Sequence, residues 1–339
     1  MDKVKCPICY TEVEERNFKE TYVSPYNNQE YKRYECPNCD VHWWEPLKII
    51  PEFYENEVFE AYIEFHEVVR TRLGENHKAF FKHFPSNVRG KLLDVGCGDG
   101  RFLRHAKEQG FEVWGIDFDK KSVENVKRNL GIDTVFAMSL EEFYEYAKEK
   151  NLKFDVITFF EVLEHQDKPR EFLEMVKGLL KEGGYIAGSV PNRERLFVEI
   201  DWKYYDLDYP PHHFLRFSKF SLYRAFKNCG FTNIELYTLK YPYGEFIRRI
   251  EKILLGKNYK HFHELRIMIK RLLTKDEKKA KYHSLDEIEG TTYNKMFISL
   301  LKVLRIIKNF TLMTLSLPYT IRFLVQNKNG PNLYFQAKL

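Results

Sequence analysis

Three observations predict an α/β chain built on a doubly wound, mostly parallel sheet. Apolar runs of strand length alternate with helical periodicity from Lys91 onward. A glycine cluster, Asp94-x-Gly96-x-Gly98-x-Gly100, follows the first apolar run. The next run ends in an acid, Asp117, 17 positions after Gly100. Glycine lets backbone approach a ligand and adopts positive φ without steric cost. A carboxylate at the end of the second strand can accept two hydrogen bonds from ribose hydroxyls. The group therefore reads as the site of an adenosyl nucleotide. A nicotinamide site would want glycine at 96, 98 and 101, and Arg101 stands against it.

Ahead of the sheet, Cys6-Pro-Ile-Cys9 and Cys36-Pro-Asn-Cys39 form two C-x-x-C units 26 residues apart. Two such turns complete a closed tetrahedral zinc site, which is structural because four thiolates leave no open position. A disulfide pair is the weaker alternative in a reducing compartment. Residues 1–48 are thus expected to be a zinc ribbon folded by its metal. Trp43, Trp44 and the aromatics up to Phe65 are expected to glue the ribbon to the core. Glu57–Arg72 and Glu75–Phe84 read as helices of a linker spanning 49–88.

The core follows. Strands are expected at Lys91–Val95, Glu112–Ile116, Thr134–Ala137, Phe154–Phe160 and Tyr185–Val190. Helices are expected near Phe102–Gln109, Lys120–Asn129, Leu140–Glu149 and Arg170–Leu180, with Gly183-Gly184 breaking the last helix from the strand after it. Lys219–Cys229 reads as a helix and Thr232–Lys240 as a strand. The alternation Leu333, Phe335, Ala337 predicts a closing strand at the carboxyl terminus. Ligands of such a sheet bind at the carboxyl ends of its strands. The core is taken as 89–242 plus 326–339.

The residues now quoted carry a resemblance. LLDVGCGDG (92–100), Gly115-Ile116-Asp117, DVITFFEVLEH (155–165), LLKEGGYIAGSVPN (179–192) and PPHHFLRFS (210–218) resemble the class I S-adenosylmethionine-dependent methyltransferases. The likeness is greatest to the branch of ubiquinone-pathway O-methyltransferases and many natural-product and glycan methyltransferases. It covers about 90–240 and the terminal strand. The resemblance implies a Rossmann-like, seven-stranded sheet whose last strand is antiparallel, with S-adenosyl-L-methionine as cofactor. It implies that Gly96 and Gly98 let the turn pass under the methionine part and that Asp117 holds the ribose. Phe118 would flank the adenine, Ser139 and Leu140 its edge. Phe160 and Glu161 would lie near the methionine end, where the anionic Asp94 suits the ammonium group.

Methyl transfer from a sulfonium needs an aligned acceptor and a group that removes its proton. Glu161, Glu164 and His165 are spaced i, i+3, i+4 and share a face if they enter a helix. With His213 they could hold Mg²⁺ or another divalent metal, which would lower the pKa of an acceptor hydroxyl. Similar Glu-x-x-Glu-His texts bind such a metal in small-RNA 2′-O-methyltransferases and ubiquinone-pathway enzymes, though many relatives carry the text without one. Without a metal, His213 is the expected general base, with His212 the lesser candidate. Tyr204, Tyr205 and Tyr209 either line the acceptor pocket or belong to the core.

Before the closing strand lies a helical insertion, 243–325, with helices expected over 245–275 and 293–325. Residues 244–322 hold 17 Lys and Arg against 8 Asp and Glu, a net of +9, so the rest of the chain is −4 against a total of +5. Phe297–Leu317 carries only Lys302, Arg305 and Lys308 as charges. It reads either as an amphipathic helix whose basic side meets an anionic membrane surface, or as a lid over the site or a dimer mate. The amino terminus has no apolar signal segment and no apolar run reaches spanning length, so the expected place is the cytoplasm, with peripheral attachment to the inner face of the membrane. The expected acceptor is a hydroxyl of a small-molecule, glycan or lipid-linked compound. RNA methylation, with ribbon and insertion gripping phosphates, is the alternative, and a non-catalytic adaptor the third reading.

Overall fold

The computed structural model describes residues 4–50, 72–204, 208–259, 261, 264, 265, 267, 268, 271 and 295–339. The helix expected at Glu57–Arg72 lies outside these, apart from Arg72. The chain divides into two compact units, Met1–Arg195 with Asp206–Leu239 and Gly330–Leu339, and Leu196–Tyr205 with Lys240–Asn329.

The first unit begins with the ribbon. Strands β1 (Val4–Lys5) and β2 (Glu12–Val13) pair across the first cysteine turn. Strands β3 (Phe18–Val23), β4 (Glu30–Glu35) and β5 (His42–Glu45) form a meander, with the second cysteine turn between β4 and β5. Helix α1 (Glu75–His83) precedes the large sheet. Then β6 (Gly90–Val95), α2 (Arg101–Glu108), β7 (Phe111–Asp117), α3 (Lys120–Leu130), β8 (Val135–Ala137), α4 (Leu140–Glu149) and β9 (Phe154–Phe160) alternate. Helix α5 (Pro169–Leu179) runs directly into β10 (Leu180–Pro191). The glycine pair therefore does not part helix from strand. Leu180 pairs with Phe154, the register then shifts, and Tyr185 pairs with Val156, so Gly183, at φ 71°, belongs to an irregularity inside β10.

After the second unit's α6 (Val198–Tyr204) come β11 (Leu215–Arg216), α7 (Lys219–Asn228) and β12 (Thr232–Thr238). The chain closes, past the second unit's α8 (Tyr243–Leu255), α9 (Lys295–Leu315) and α10 (Leu317–Gln326), with β13 (Asn332–Lys338). The sheet order is β12-β13-β10-β9-β6-β7-β8, and β13 is antiparallel to both neighbours, as the resemblance implies.

Side chains alternate across this sheet, as the strand period of two requires. Leu93, Ile157, Ile186 and Phe335 pack on one face with buried residues of α4, α5 and α7. Leu92, Val156, Ala187 and Tyr334 pack on the other with α1, α2 and α3. The sheet is thus doubly wound. Trp43, Trp44 and Tyr31 of the ribbon are fully buried and continue the first of these cores. The expected gluing role of the tryptophans follows from that burial. A short ribbon cannot enclose a core alone, and this one shares the core of its neighbour.

In the second unit, Leu196, Phe197 and Ile200 pack with Phe246, Ile247, Ile250 and Phe323. Residues 196–205 therefore fold with the insertion, although their place in the sequence assigns them to the core. Lys302, Arg305 and Lys308 do not form the exposed side of α9. All three are half-buried, and Lys308 Nζ lies 2.5 Å from Glu251 Oε1 of α8.

Candidate functional site

Three strand ends surround the glycine turn. After β6 the chain turns back at Gly96 and Cys97, whose N–H groups both donate to Ile116 O of β7, at 2.8 and 3.0 Å. Gly96 has φ 75°, and a Cβ there would stand 2.8 Å from Val162 Cγ2. Gly100, at φ 69°, opens α2, and a Cβ there would meet Val126 and Leu130 within 3 Å. Only glycine fits these two positions. Asp117 Oδ2 accepts from Gly98 N at 2.8 Å and Oδ1 from Asp119 N at 3.0 Å. A carboxylate has about four lone-pair directions, so Asp117 retains capacity for a vicinal diol. Burial pushes its carboxyl up to about 6.

Phe118 follows with its ring 58% exposed. Met138 N donates to Asp117 O, which sets Ser139 and Leu140 beside that acid. Ser139 itself caps α4, its hydroxyl accepting from Glu142 N while Glu142 Oε2 accepts from Ser139 N. Asp94 is buried and accepts from Thr158 Oγ1 at 2.7 Å, and burial holds its carboxyl well above the usual carboxylate range. Phe160 ends β9 with its ring against His77 and Phe102, at centroid distances of 4.7 and 4.8 Å.

The turn after β9 differs from the expected helix face. Glu161 takes φ 56°, and only a single 3₁₀ turn, Leu163–His165, follows. Glu161 is directed to β10 and α1, where its Oε1 accepts from Ser189 Oγ at 2.6 Å and Asn76 Nδ2 at 3.3 Å. Glu164 is fully buried, and neither carboxylate oxygen has a hydrogen-bond partner among the described residues. Burial, and the nearby Glu161 charge, raise its carboxyl well above the usual range. His165, His212 and His213 instead come together, each offering a ring nitrogen within 4.8 Å of the others. His165 Nδ1 donates to His212 O at 2.6 Å, and its Nε2 lies 3.9 Å from Glu164 Oε1. His213 Nδ1 donates to Asp208 Oδ1 at 3.1 Å. Arg195 Nη2, 2.9 Å from Asp208 Oδ2, and the neighbouring Arg216 hold that carboxyl well below its ordinary range despite burial.

The ribbon's cysteines converge as the spacing predicts. Cys6 and Cys39 Sγ lie 3.4 Å apart, Cys9 and Cys36 Sγ 3.5 Å apart, and all four within 4.8 Å. A metal bound to sulfur at about 2.3 Å in a tetrahedron needs sulfurs about 3.8 Å apart, so the set fits such an ion. The two turns share one geometry. Tyr10 and Asp40, each one residue past the second cysteine, have φ 57° and 62° and donate to Cys6 O and Cys36 O. Strand β11 completes the ribbon sheet beside β5. Phe214, next to His213, donates its N–H to Glu164 O at 3.0 Å, and its carbonyl accepts from Trp44 N at 3.2 Å. One residue thus ties the histidine loop to both the β9 turn and the ribbon.

A family model described as a methyltransferase domain matches residues 65–236. The chain belongs to this methyltransferase family. Among curated relatives, the mitochondrial ubiquinone biosynthesis O-methyltransferase of Schizosaccharomyces pombe is 32% identical over 108 residues, 31% of this chain and 39% of that one. The ubiquinone biosynthesis O-methyltransferase of Azoarcus sp. is 30% identical over 161 residues, 44% of this chain and 68% of that one. The match thus spans from two fifths to two thirds of these relatives. A solved S-adenosylmethionine-dependent methyltransferase from Archaeoglobus fulgidus is similar over 84% of this chain and all of its own, at 18% identity and a TM-score of 0.45.

Sequence reading missed several residues of this methyltransferase. Asn76 and His77 fall in the segment expected to be a linker, yet α1 brings them to Glu161 and Phe160. Burial pushes His77 down to about 3. Neither carries a motif. Asp208 had a weak signal, a carboxylate five residues before a candidate base. Tyr209 packs on Tyr22 at 4.5 Å and Trp44 at 5.6 Å, as a core aromatic, while Tyr205 lies outside the described residues.

Proposed function

We propose that this methyltransferase moves the methyl group of S-adenosyl-L-methionine to a hydroxyl oxygen of a small-molecule, glycan or lipid-linked acceptor, with His213 as general base. The Asp208–His213 pair, next to the turn that follows β9, carries the reading. An ionised carboxylate can only accept, so Nδ1–H of His213 donates and Nε2 keeps its lone pair for the acceptor proton. The name of the curated relatives, O-methyltransferases, supports oxygen as the acceptor atom.

S-adenosylmethionine supplies an electrophilic methyl on sulfur, reached by direct displacement. Asp117 accepts from the ribose hydroxyls, Phe118 covers the adenine, and Leu140 lies at its edge. Gly96 and Gly98 leave room above the turn for the methionine part. Asp94 and Phe160 border that end. Glu161, held by Ser189 and Asn76, positions the turn instead of acting as base.

Two metal sites belong to the proposal. The four ribbon thiolates fit structural zinc, whose place is to hold the two turns together. In the alternative in which a divalent ion takes part, Glu164, His165, His212 and Nε2 of His213 would hold it, since such an ion would satisfy the two buried oxygens of Glu164, and His213 is then a ligand and not the base. An ion there would acidify a bound hydroxyl. Three imidazoles suit zinc or another transition metal better than Mg²⁺, which favours oxygen ligands.

The test is a screen of hydroxylated acceptors with methyl-labelled S-adenosylmethionine, the product atom being read by NMR. An O-methyl product whose formation His213→Ala suppresses is expected. N- or C-methylation, or turnover indifferent to His213, overturns the reading.

A further inference from the structure

The two carboxylate oxygens of Asp208 have different partners. Oδ1 accepts from His213 Nδ1 at 3.1 Å, and Oδ2 from Arg195 Nη2 at 2.9 Å. Arg195 and Asp208 are each only 8% exposed, so protein groups set the geometry of the pair. Residues Leu196–Tyr205 fold with the second unit, and the chain returns to the first at Asp206. Asp208 thus stands two residues past a re-entry point, and its direction depends on the side chains that bind it.

Arg195 is itself firmly placed. Its backbone N–H and its Nη1 both donate to Asn192 O, at 3.2 and 3.1 Å. Asn192 is buried and grips the approach to β13, its N–H donating to Pro331 O at 2.6 Å and its Nδ2 to Gly330 O at 3.0 Å. Strands β10 and β13 pair in register up to Pro191 and Asn332. A line of hydrogen bonds therefore runs from the end of the large sheet through Arg195 to Asp208 and on to His213. The guanidinium is a rigid planar fork, so Nη1 on Asn192 and Nη2 on Asp208 fix the angle of the carboxylate as well as its distance. Arg216 serves a different atom. Its Nη2 donates to Asp208 O at 3.0 Å, with the guanidinium over the rings of Tyr209 and Trp44 at 4.7 and 5.4 Å.

We propose that Arg195 is a positioning residue of the methyl transfer, holding Asp208 so that His213 keeps its proton on Nδ1 and its lone pair on Nε2. The inference rests on the proposed role of His213 and holds whether Nε2 takes the acceptor proton or a divalent ion. Without Arg195 the fork that fixes Oδ2 is gone, and the carboxylate turns away from the ring. His213 then samples both tautomers. In the second of them the lone pair sits on Nδ1, the nitrogen that faces Asp208.

Nitrogen NMR of the full chain with labelled histidine reads the tautomer, at about pH 8, where an ordinary imidazole is neutral. The His213 signals are assigned by their loss in His213→Gln. The parent should show a protonated Nδ1. Arg195→Met should show both tautomers and lower kcat by about ten-fold, with S-adenosylmethionine affinity as in the parent. In the Asp208→Asn background, where no buried charge is left alone, the same substitution should lower kcat no further, because Arg195 acts through Asp208. Arg195→Lys keeps the charge and loses the fork, and it should show the same mixture of tautomers if the Met variant folds poorly. An Arg195→Met protein with the parent's tautomer overturns the proposal, as does a loss of kcat that adds in full to that of Asp208→Asn. Turnover indifferent to His213→Ala would refute the proposed base, and the tautomer would still decide for or against Arg195.

Discussion

At the scale of single residues, the proposed site divides into groups that would hold the donor and groups that would handle a proton. Asp117 belongs to the first. Its carboxyl titrates at about 6, raised from 3.8 by burial. A raised carboxylate pKa means that the folded chain holds this proton more tightly than the unfolded one. The cost of ionising Asp117 is absent below the ordinary carboxylate range and fully present above about 6. In the proposed donor site the ribose hydroxyls bind the ionised form. S-adenosylmethionine affinity should therefore weaken as pH falls through 6, and Asp117→Ala should cost about 3 kcal/mol, the worth of two charge-assisted hydrogen bonds. Calorimetric titration across that range decides. An affinity independent of both pH and Asp117 would remove this residue from the donor site. His213 belongs to the second group. His213→Ala should lower kcat by about a hundred-fold or more with little change in donor affinity. Asp208→Asn should lower it by about ten-fold or more, because the tautomer is no longer imposed. If Asp208 acts only through packing, the pH profile of the Asn variant will match that of the parent.

At the scale of elements, the ribbon is joined to the histidine loop, since β11 is both its edge strand and the continuation of the His212–His213 loop. Asp40 of the second cysteine turn accepts from Arg193 Nη2 and Ser218 Oγ, both at 2.6 Å. Loss of one thiolate should thus reach the histidines. Cys39→Ser is expected to lower metal content, reduce the melting temperature and speed amide exchange at Phe214 and Leu215, while S-adenosylmethionine still binds. Unchanged exchange at those amides would separate ribbon from site. What the sequence made legible follows the same division. Glycines and cysteine pairs are read directly, because a positive φ or a tetrahedral ligand set restricts the residue type that can serve. The glycine turn with Asp117 at the next strand end, and the convergence of the four cysteines, were therefore legible. The direction of a side chain beyond a turn is not encoded locally. Glu161 leaves the Glu164–His165 group because its backbone takes φ 56°, and His212 enters because the loop is pinned by Phe214. Lys308 of α9 turns from solvent because Glu251 waits on another helix. Each of these outcomes depends on a partner distant in the chain.

At the scale of the whole molecule, the described residues form three cores, one on each face of the large sheet in the first unit, the ribbon continuing one of them, and a third within the second unit. Every proposed donor and acceptor residue lies in the first unit. The second unit has its own internal tie. Arg249 Nε and Nη2 reach Asp201 Oδ1 and Oδ2 at 2.6 and 2.9 Å, a two-point pair that is nearly buried. Removing one member of such a pair leaves an unanswered buried charge and costs roughly 3–5 kcal/mol. Thermal unfolding should then show two calorimetric transitions. S-adenosylmethionine, binding only the first unit, should raise one of them by mass action and leave the other in place. Arg249→Met should lower the transition that the ligand does not move. A single transition that responds to both ligand and substitution would mean that the two units unfold as one, and that the insertion has no stability of its own.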